Sequence, residues 1–107
     1  MIKEIHVTKE HIMEGEPGDA SHCAIACAIA DEYGVHNSMI GVESHDSIFV
    51  DYGNCWTEII VEPGDVNIVD KFIEDFDYID NLEEDECPIE YKDNLKEFKF
   101  RYTEIGH

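Results

Sequence analysis

Carboxylates are the side chains whose number and spacing in this sequence most clearly point to a chemistry. Asp70, Glu74 and Asp77 follow one another at i, i+4 and i+7, so on a helix they form a stripe that advances by roughly 6 Å per turn. That advance is comparable to the distance between successive phosphates of a nucleic-acid strand, so the stripe predicts a surface that fits a protein groove built for DNA or RNA. With the acidic residues beside and after the stripe included, the predicted partner-binding residues are Asp70, Glu74, Asp75, Asp77, Asp80, Glu83, Glu84, Asp85 and Glu86.

The charge of the whole chain favours this prediction. Its 107 residues include 26 acidic and 7 basic ones, which gives a formal charge of −19, whereas solubility needs a net charge of only about 2–8 in magnitude. Such a charge repels nucleic acid and anionic membranes and attracts basic surfaces. We therefore expect the partner to be a basic nucleic-acid-binding host protein, with no direct binding to nucleic acid or membrane. The charge is densest over residues 62–93, which carry a net −11.

The composition nevertheless predicts a folded chain. Hydrophobic residues make up 43% and aromatic residues 10% of it, whereas disordered acidic chains lack these residue types. The length fits one domain, residues 1–107. The sequence has no apolar run long enough to span a membrane, and its first residues do not resemble a signal peptide, so we expect a cytoplasmic protein. In that reducing compartment, the residues expected to be buried, free thiols are Cys23, Cys27, Cys55 and Cys87.

Two kinds of metal site can be tested against the spacing of possible ligands. An EF-hand loop that begins at Asp75 would end correctly at Glu86, but Asp80 stands where the loop requires glycine. A zinc site could use Cys23 and Cys27, which are one helical turn apart, but the chain has no paired C-x2-C knuckle. We therefore expect no dedicated metal site and keep a small metal-binding protein as a second alternative.

No catalytic constellation is recognisable in the sequence. A nucleophilic cysteine needs a base and a neighbour that activates the thiol, and the residues next to Cys55 provide neither. Carboxylate pairs cannot be singled out among 26 acids, and the phosphate-binding and nucleophile-elbow motifs are missing. We expect no enzymatic activity and no cofactor.

The first third of the chain is predicted to form a strand and two helices. Residues 2–7 alternate like a strand, and Thr8 is a candidate N-cap for a single helical turn. A second helix is predicted over residues 20–33, with Asp19 or Ser21 as its N-cap and Gly34 after its end. Its middle is made of small apolar residues on all sides, so we expect it to be the central buried helix.

The rest of the chain is predicted to add strands and an amphipathic acidic helix. An antiparallel meander is expected over 38–43, 47–52 and 55–61. Residues 62–65 then repeat the Glu-Pro-Gly-Asp of residues 16–19, with Asp65 as a candidate N-cap for a helix over 66–76. A loop broken by Pro88 leads to a last strand over 98–102. The predicted class is α+β, in which the central buried helix and the amphipathic acidic helix pack on one face of a mostly antiparallel, four-stranded sheet.

Three segments resemble a family of small uncharacterised proteins encoded by bacteriophages and prophages. The family pattern is V-T-x-x-H-I followed by a glycine and C-P-[IV]-A-x-A, and this chain has IHVTKEHI at residues 5–12 and CAIA at residues 23–26. Residues 69–77 resemble the family's second helix, while Ala24 stands where the family tends to have proline. The resemblance implies a phage origin and carries over no catalytic residue.

A phage origin sharpens the functional hypothesis. Phages use small, very acidic proteins as nucleic-acid mimics against restriction, CRISPR and repair enzymes, and such inhibitors share no common fold. We therefore expect a protein that binds and blocks a nucleic-acid-binding protein in the cytoplasm of the infected bacterium. The alternative is a non-inhibitory phage accessory protein or oligomerisation module, with a homo-oligomer as its functional form, whose acidity only keeps it soluble.

Overall fold

Five strands form one antiparallel sheet in the computed structural model, which describes residues 2–106. The order across the sheet is β1-β5-β4-β3-β2. The strands are β1 (Lys3–Val7), β2 (Ile40–Ser44), β3 (Ser47–Asp51), β4 (Trp56–Val61) and β5 (Phe98–Gly106). The α+β class is confirmed. The expected number of four strands is corrected to five, because the first and last strands pair with each other, with Ile5 opposite Phe100, and β5 also pairs with β4.

Four α-helices accompany the sheet. They are α1 (Lys9–Glu14), α2 (Ala24–Tyr33), α3 (Val66–Tyr78) and α4 (Pro88–Asn94). Short 3-10 turns precede β2, precede α3 and follow it. Two predicted end signals hold: the Thr8 side chain accepts a hydrogen bond from the backbone N–H of His11 at the start of α1, and Gly34 ends α2 in the left-handed region at φ 66°.

The second helix starts later than its sequence pattern indicates. It begins at Ala24 and not at residue 20, and Cys23 occupies the N-cap position without a side-chain cap. The Asp19 carboxylate accepts hydrogen bonds from the backbone N–H groups of Ser21 at 2.9 Å and His22 at 3.2 Å. These bonds hold the preceding residues in a turn, so the candidate cap stabilises the approach to the helix and not the helix itself.

The hydrophobic core lies between the helices and one face of the sheet. Six residues of α2 are buried, and four of them are alanines, which let the helix backbone approach the sheet closely. The third helix adds Val69, Phe72 and Phe76, and the Phe72 ring lies 4.7 Å from the ring of Phe98. No charged side chain is buried anywhere within residues 2–106. The opposite face of the sheet carries the alternate, exposed side chains of the strands.

The repeated Glu-Pro-Gly-Asp sequence folds differently at its two positions. Gly18 has φ 79° in a turn, whereas Pro63–Asp65 is a 3-10 helix. Asp65 does not cap α3; its carboxylate binds Arg101 on β5 at 3.1 and 3.2 Å. Pro88 also differs from expectation, because it begins α4 within the segment predicted as a loop.

The buried position of Ile29 in α2 yields a test of this core. Ile29→Ala should lower the free energy of unfolding by about 3 kcal/mol. Ile29 is fully buried, so its truncation leaves a cavity in the core that the surrounding residues fill only in part. Ile68→Ala is the matched control, since Ile68 on α3 is 45% exposed and should cost less than about 1 kcal/mol. Chemical denaturation followed by circular dichroism measures both, and equal losses would contradict the assigned core.

Candidate partner-binding surface

The helix α3 and the chain that follows it form the most acidic surface of the molecule. Residues 72–91 contain nine acidic residues and no Lys, Arg or His. The buried residues of α3 face the core, so its acidic residues lie on the sides of the helix that reach solvent. We call the nine sequence-predicted carboxylates, from Asp70 to Glu86, the acidic surface.

Two carboxylates of α3 are held by basic side chains. Asp70 Oδ2 lies 2.7 Å from Nδ1 of His45, whose Nε2 lies 2.7 Å from Asp46. Asp75 accepts a hydrogen bond of 2.9 Å from Nζ of Lys71 one turn earlier, and this contact raises the pKa of Lys71. Asp70 therefore fastens α3 to the turn between β2 and β3, and Lys71 partly neutralises Asp75.

Three further members of the acidic surface have contacts within the protein. The backbone N–H of Gly18 donates to Asp77 at 3.3 Å, and Asp80 lies against the same glycine. The Tyr91 hydroxyl donates to Glu86 Oε2 at 2.8 Å, and this bond raises the pKa of Tyr91. These residues support the loop before α2 and the start of α4. The sequence did not indicate this structural role.

Four members of the acidic surface make no hydrogen bond and no ion pair with any residue in the described range 2–106. They are Glu74, Glu83, Glu84 and Asp85, and all four are exposed. Because none of the four forms a side-chain hydrogen bond or an ion pair within the described range, they can accept hydrogen bonds from a partner without first breaking a contact. Glu74 is close enough to Lys71 for the two charges to attract each other. The predicted regular stripe along α3 is therefore uneven, since Asp70 and Asp77 have structural contacts and Glu74 does not.

Exposed apolar side chains lie among these carboxylates. Tyr78 at the end of α3 is 56% exposed, and Ile89 in α4 is 63% exposed. The rings of Tyr78 and Tyr91 are 6.1 Å apart. The sequence-based prediction did not include these three residues, because it ended the helix at residue 76 and placed the segment around Pro88 in a loop, whereas α3 continues to Tyr78 and α4 begins at Pro88. Aromatic rings in an otherwise charged surface are typical of the residues that anchor protein–protein contacts.

Lys92 of α4 and Lys9 of α1 bind backbone oxygens. Lys92 Nζ donates to the carbonyl oxygens of Gly15 at 2.8 Å and Met13 at 3.2 Å. Lys9 Nζ likewise donates to the carbonyl oxygen of Leu95 at 2.8 Å. These bonds tie α4 to α1, and within the described residues Lys92 forms no ion pair with residues 83–85.

The cysteines do not form a reactive or metal-binding cluster in the part of the chain that the structure describes. All four are free thiols, as expected, but the expected burial is wrong for Cys55 and Cys87, which are exposed. Burial raises the pKa of Cys23 to about 11 and also raises that of Cys27, so both are protonated thiols at neutral pH. Between residues 2 and 106, no group of three or more His, Cys, Asp or Glu side chains is arranged to hold a metal ion.

A second set of titratable groups joins β1, α2 and β5. The Tyr33 hydroxyl donates to Glu104 Oε2 at 2.6 Å and lies 3.2 Å from the Tyr102 hydroxyl, while Lys3 forms an ion pair with Glu104. The hydrogen bonds from Lys3 and Tyr33 lower the pKa of Glu104, and burial raises the pKa of Tyr33. The network closes the end of the core near the chain termini.

Comparisons with protein-family models, with curated proteins and with solved structures found no match to this chain. The resemblance to phage-encoded proteins therefore stays a prediction. None of the helices in residues 2–106 has the length and apolar character needed to cross a membrane.

The network around Glu104 predicts a specific pH dependence. Glu104→Gln should lower the free energy of unfolding by about 1–2 kcal/mol at pH 7, because the ionised carboxylate accepts charge-assisted hydrogen bonds. Since folding lowers the pKa of this group from its ordinary 4.5, its contribution is complete above that value and is lost as the pH falls through the folded-state pKa. Denaturation at a series of pH values should show the difference between variant and wild type shrinking below about pH 4.5.

The control for this series is Glu43→Gln, because Glu43 is exposed and has no hydrogen bond or ion pair within the described residues. Its difference from the wild type should be small at every pH. A Glu104→Gln deficit that stays constant into acid would contradict the assigned role of the ionised carboxylate.

Proposed function

We propose that this protein binds and blocks a basic nucleic-acid-binding protein in the cytoplasm of a bacterium infected by the phage that encodes it. The observation that carries the proposal is a set of four exposed carboxylates that form no side-chain hydrogen bond or ion pair within residues 2–106. They are Glu74, Glu83, Glu84 and Asp85, and they lie within twenty residues that lack any basic side chain. Carboxylates of this kind resemble the phosphates of a nucleic acid, because both offer a partner a series of anionic hydrogen-bond acceptors.

The physical reason for binding has two parts. The net charge of −19 attracts basic surfaces over a distance of about one Debye length, roughly 8 Å at physiological ionic strength. At contact, Tyr78, Ile89 and Tyr91 supply apolar area next to the carboxylates, so the surface offers anchors as well as charge. A partner groove that normally holds phosphates and bases would meet carboxylates and aromatic rings in their place.

The proposal shifts the centre of contact relative to the sequence-based prediction. Asp70 and Asp75 already have side-chain contacts within the protein, so a cation of the partner must compete with His45 or Lys71 for them. Binding to the four carboxylates that make no internal hydrogen bond or ion pair requires no such exchange. We therefore assign the main contribution to Glu74 and to residues 83–85, and a smaller one to the rest of the acidic surface.

Pull-down from host lysate at low and high salt, followed by competition with DNA or RNA, tests the proposal. We expect a nucleic-acid-binding protein to be retained at low salt, released at high salt and displaced by nucleic acid. Salt anions, nucleic acid and the acidic surface would all compete for the same basic side chains of that partner. Retention of a partner that neither DNA nor RNA displaces would contradict a mimic of nucleic acid. Retention of no nucleic-acid-binding protein would also overturn the proposal.

A charge-matched pair of variants tests which carboxylates make the contact. Replacing Glu74, Glu83, Glu84 and Asp85 by their amides should weaken partner binding at least about tenfold, the effect of roughly 0.35 kcal/mol lost at each position. Titration calorimetry with the retained partner measures the change.

The control variant removes the same amount of charge from exposed glutamates outside the acidic surface. It carries amide replacements at Glu4, Glu10, Glu14 and Glu32. Binding should change by less than about threefold, through long-range attraction alone. Equal weakening by the two variants would show that net charge acts without a defined contact surface.

A further inference from the structure

A groove on the open face of the sheet has the chemistry of a cation site. Phe49 on β3 and Trp56 on β4 are 36% and 41% exposed, and their ring centroids are 6.4 Å apart with an interplanar angle of 82°. Asp51, which pairs with Trp56 across the two strands, completes the lining of a cavity of about 300 Å³. Two perpendicular aromatic rings beside a carboxylate combine ring-face attraction for a cation with an anionic acceptor.

The glycine beneath Phe49 shows how the groove is formed. Gly41 lies opposite Phe49 on the neighbouring strand β2, and a Cβ atom there would be 2.4 Å from the end of the Phe49 ring. A glycine inside a strand weakens it unless it allows a close approach. Here it lets the ring of Phe49 lie down over β2, which leaves the space between Phe49 and Trp56 open.

The carboxylate narrows the class of cation. Asp51 Oδ1 accepts a hydrogen bond of 2.8 Å from the backbone N–H of Gly53, so this oxygen fixes the orientation of the group. The other oxygen can accept a hydrogen bond from a ligand. A quaternary ammonium has no N–H to donate, whereas a guanidinium donates in a planar fork and also stacks on aromatic rings.

We propose that this groove binds the guanidinium group of an arginine side chain from another protein. The chain itself contains one arginine, Arg101, and its guanidinium already binds Asp65 through two hydrogen bonds. A second copy of this protein therefore has no free arginine to offer. The proposal is independent of the acidic surface, because the groove lies on the sheet face opposite to the one that packs against the helices.

Fluorescence of Trp56 provides a direct test, since it is the single tryptophan of the chain. The intact protein is titrated with N-acetyl-arginine-amide at constant ionic strength. We expect a saturable change in Trp56 emission with a dissociation constant in the millimolar range, as befits one side chain in one groove. N-acetyl-citrulline-amide, which has the same shape without the charge, should give no saturable change, and the lysine analogue should bind more weakly than arginine.

Two variants separate the carboxylate from the aromatic contribution. Asp51→Asn keeps an oxygen that accepts the Gly53 N–H but removes the charge, and it should weaken arginine binding at least about fivefold. Phe49→Leu keeps apolar bulk without an aromatic ring and should weaken binding by a similar factor. Glu4→Gln, on the same sheet face at β1, removes an equal charge away from the groove and should change binding less than about twofold.

Three results would overturn the proposal: no saturable response to the arginine probe up to about 100 mM, an equal response to citrulline, or unchanged affinity in Asp51→Asn. A thermal melt of each variant confirms that it is folded before titration. Because the probe contains no host protein, failure here leaves the proposed function of the acidic surface unaffected.

Discussion

Packing of the alanine-rich helix α2 against the sheet is the interaction on which the rest of the structure depends. A chain with 26 acidic residues in 107 works against its own compaction by repulsion. The described core compensates by excluding every charged side chain, and the small residues of α2 bring its backbone close to the inner face of the strands. All carboxylates are thereby left outside a purely apolar interior, where water screens their repulsion.

Four of the basic residues join distant segments of the chain, whereas Lys71 forms an ion pair with Asp75 of the acidic surface. Lys9 and Lys92 bind carbonyl oxygens between α1 and α4, and Arg101 binds Asp65 next to the start of α3. Lys3 binds Glu104 at the end of the core. Each of these contacts joins segments that are distant in sequence. Because these cations are used elsewhere, the carboxylates of residues 72–91 other than Asp75 form no ion pair within the described range. The proposed binding to a basic partner relies on this feature.

Periodicity and end signals were enough to predict most helices and strands. They did not predict the contacts between residues that are distant in sequence. The α+β class, the cap at Thr8, the left-handed end at Gly34 and the meander all follow from local patterns. Asp65 shows the limit: its position predicts a helix cap, yet it binds Arg101, a residue that only the folded sheet brings near. The candidate site has the same limit, because the residue type of Asp70 or Asp77 predicts a free carboxylate and only the fold reveals its internal partner.

The two cation-binding surfaces would contribute different things to recognition. Attraction by many carboxylates acts at a distance and does not distinguish one basic protein from another, so it governs association rate more than selectivity. The groove between Phe49 and Trp56, if it binds arginine as proposed, would act only at contact and would require the shape of one side chain. Because the groove and the helices lie on opposite faces of the sheet, a single flat partner surface can meet only one of them. Engagement of both therefore requires either a partner that wraps around an edge of the sheet or two separate partners.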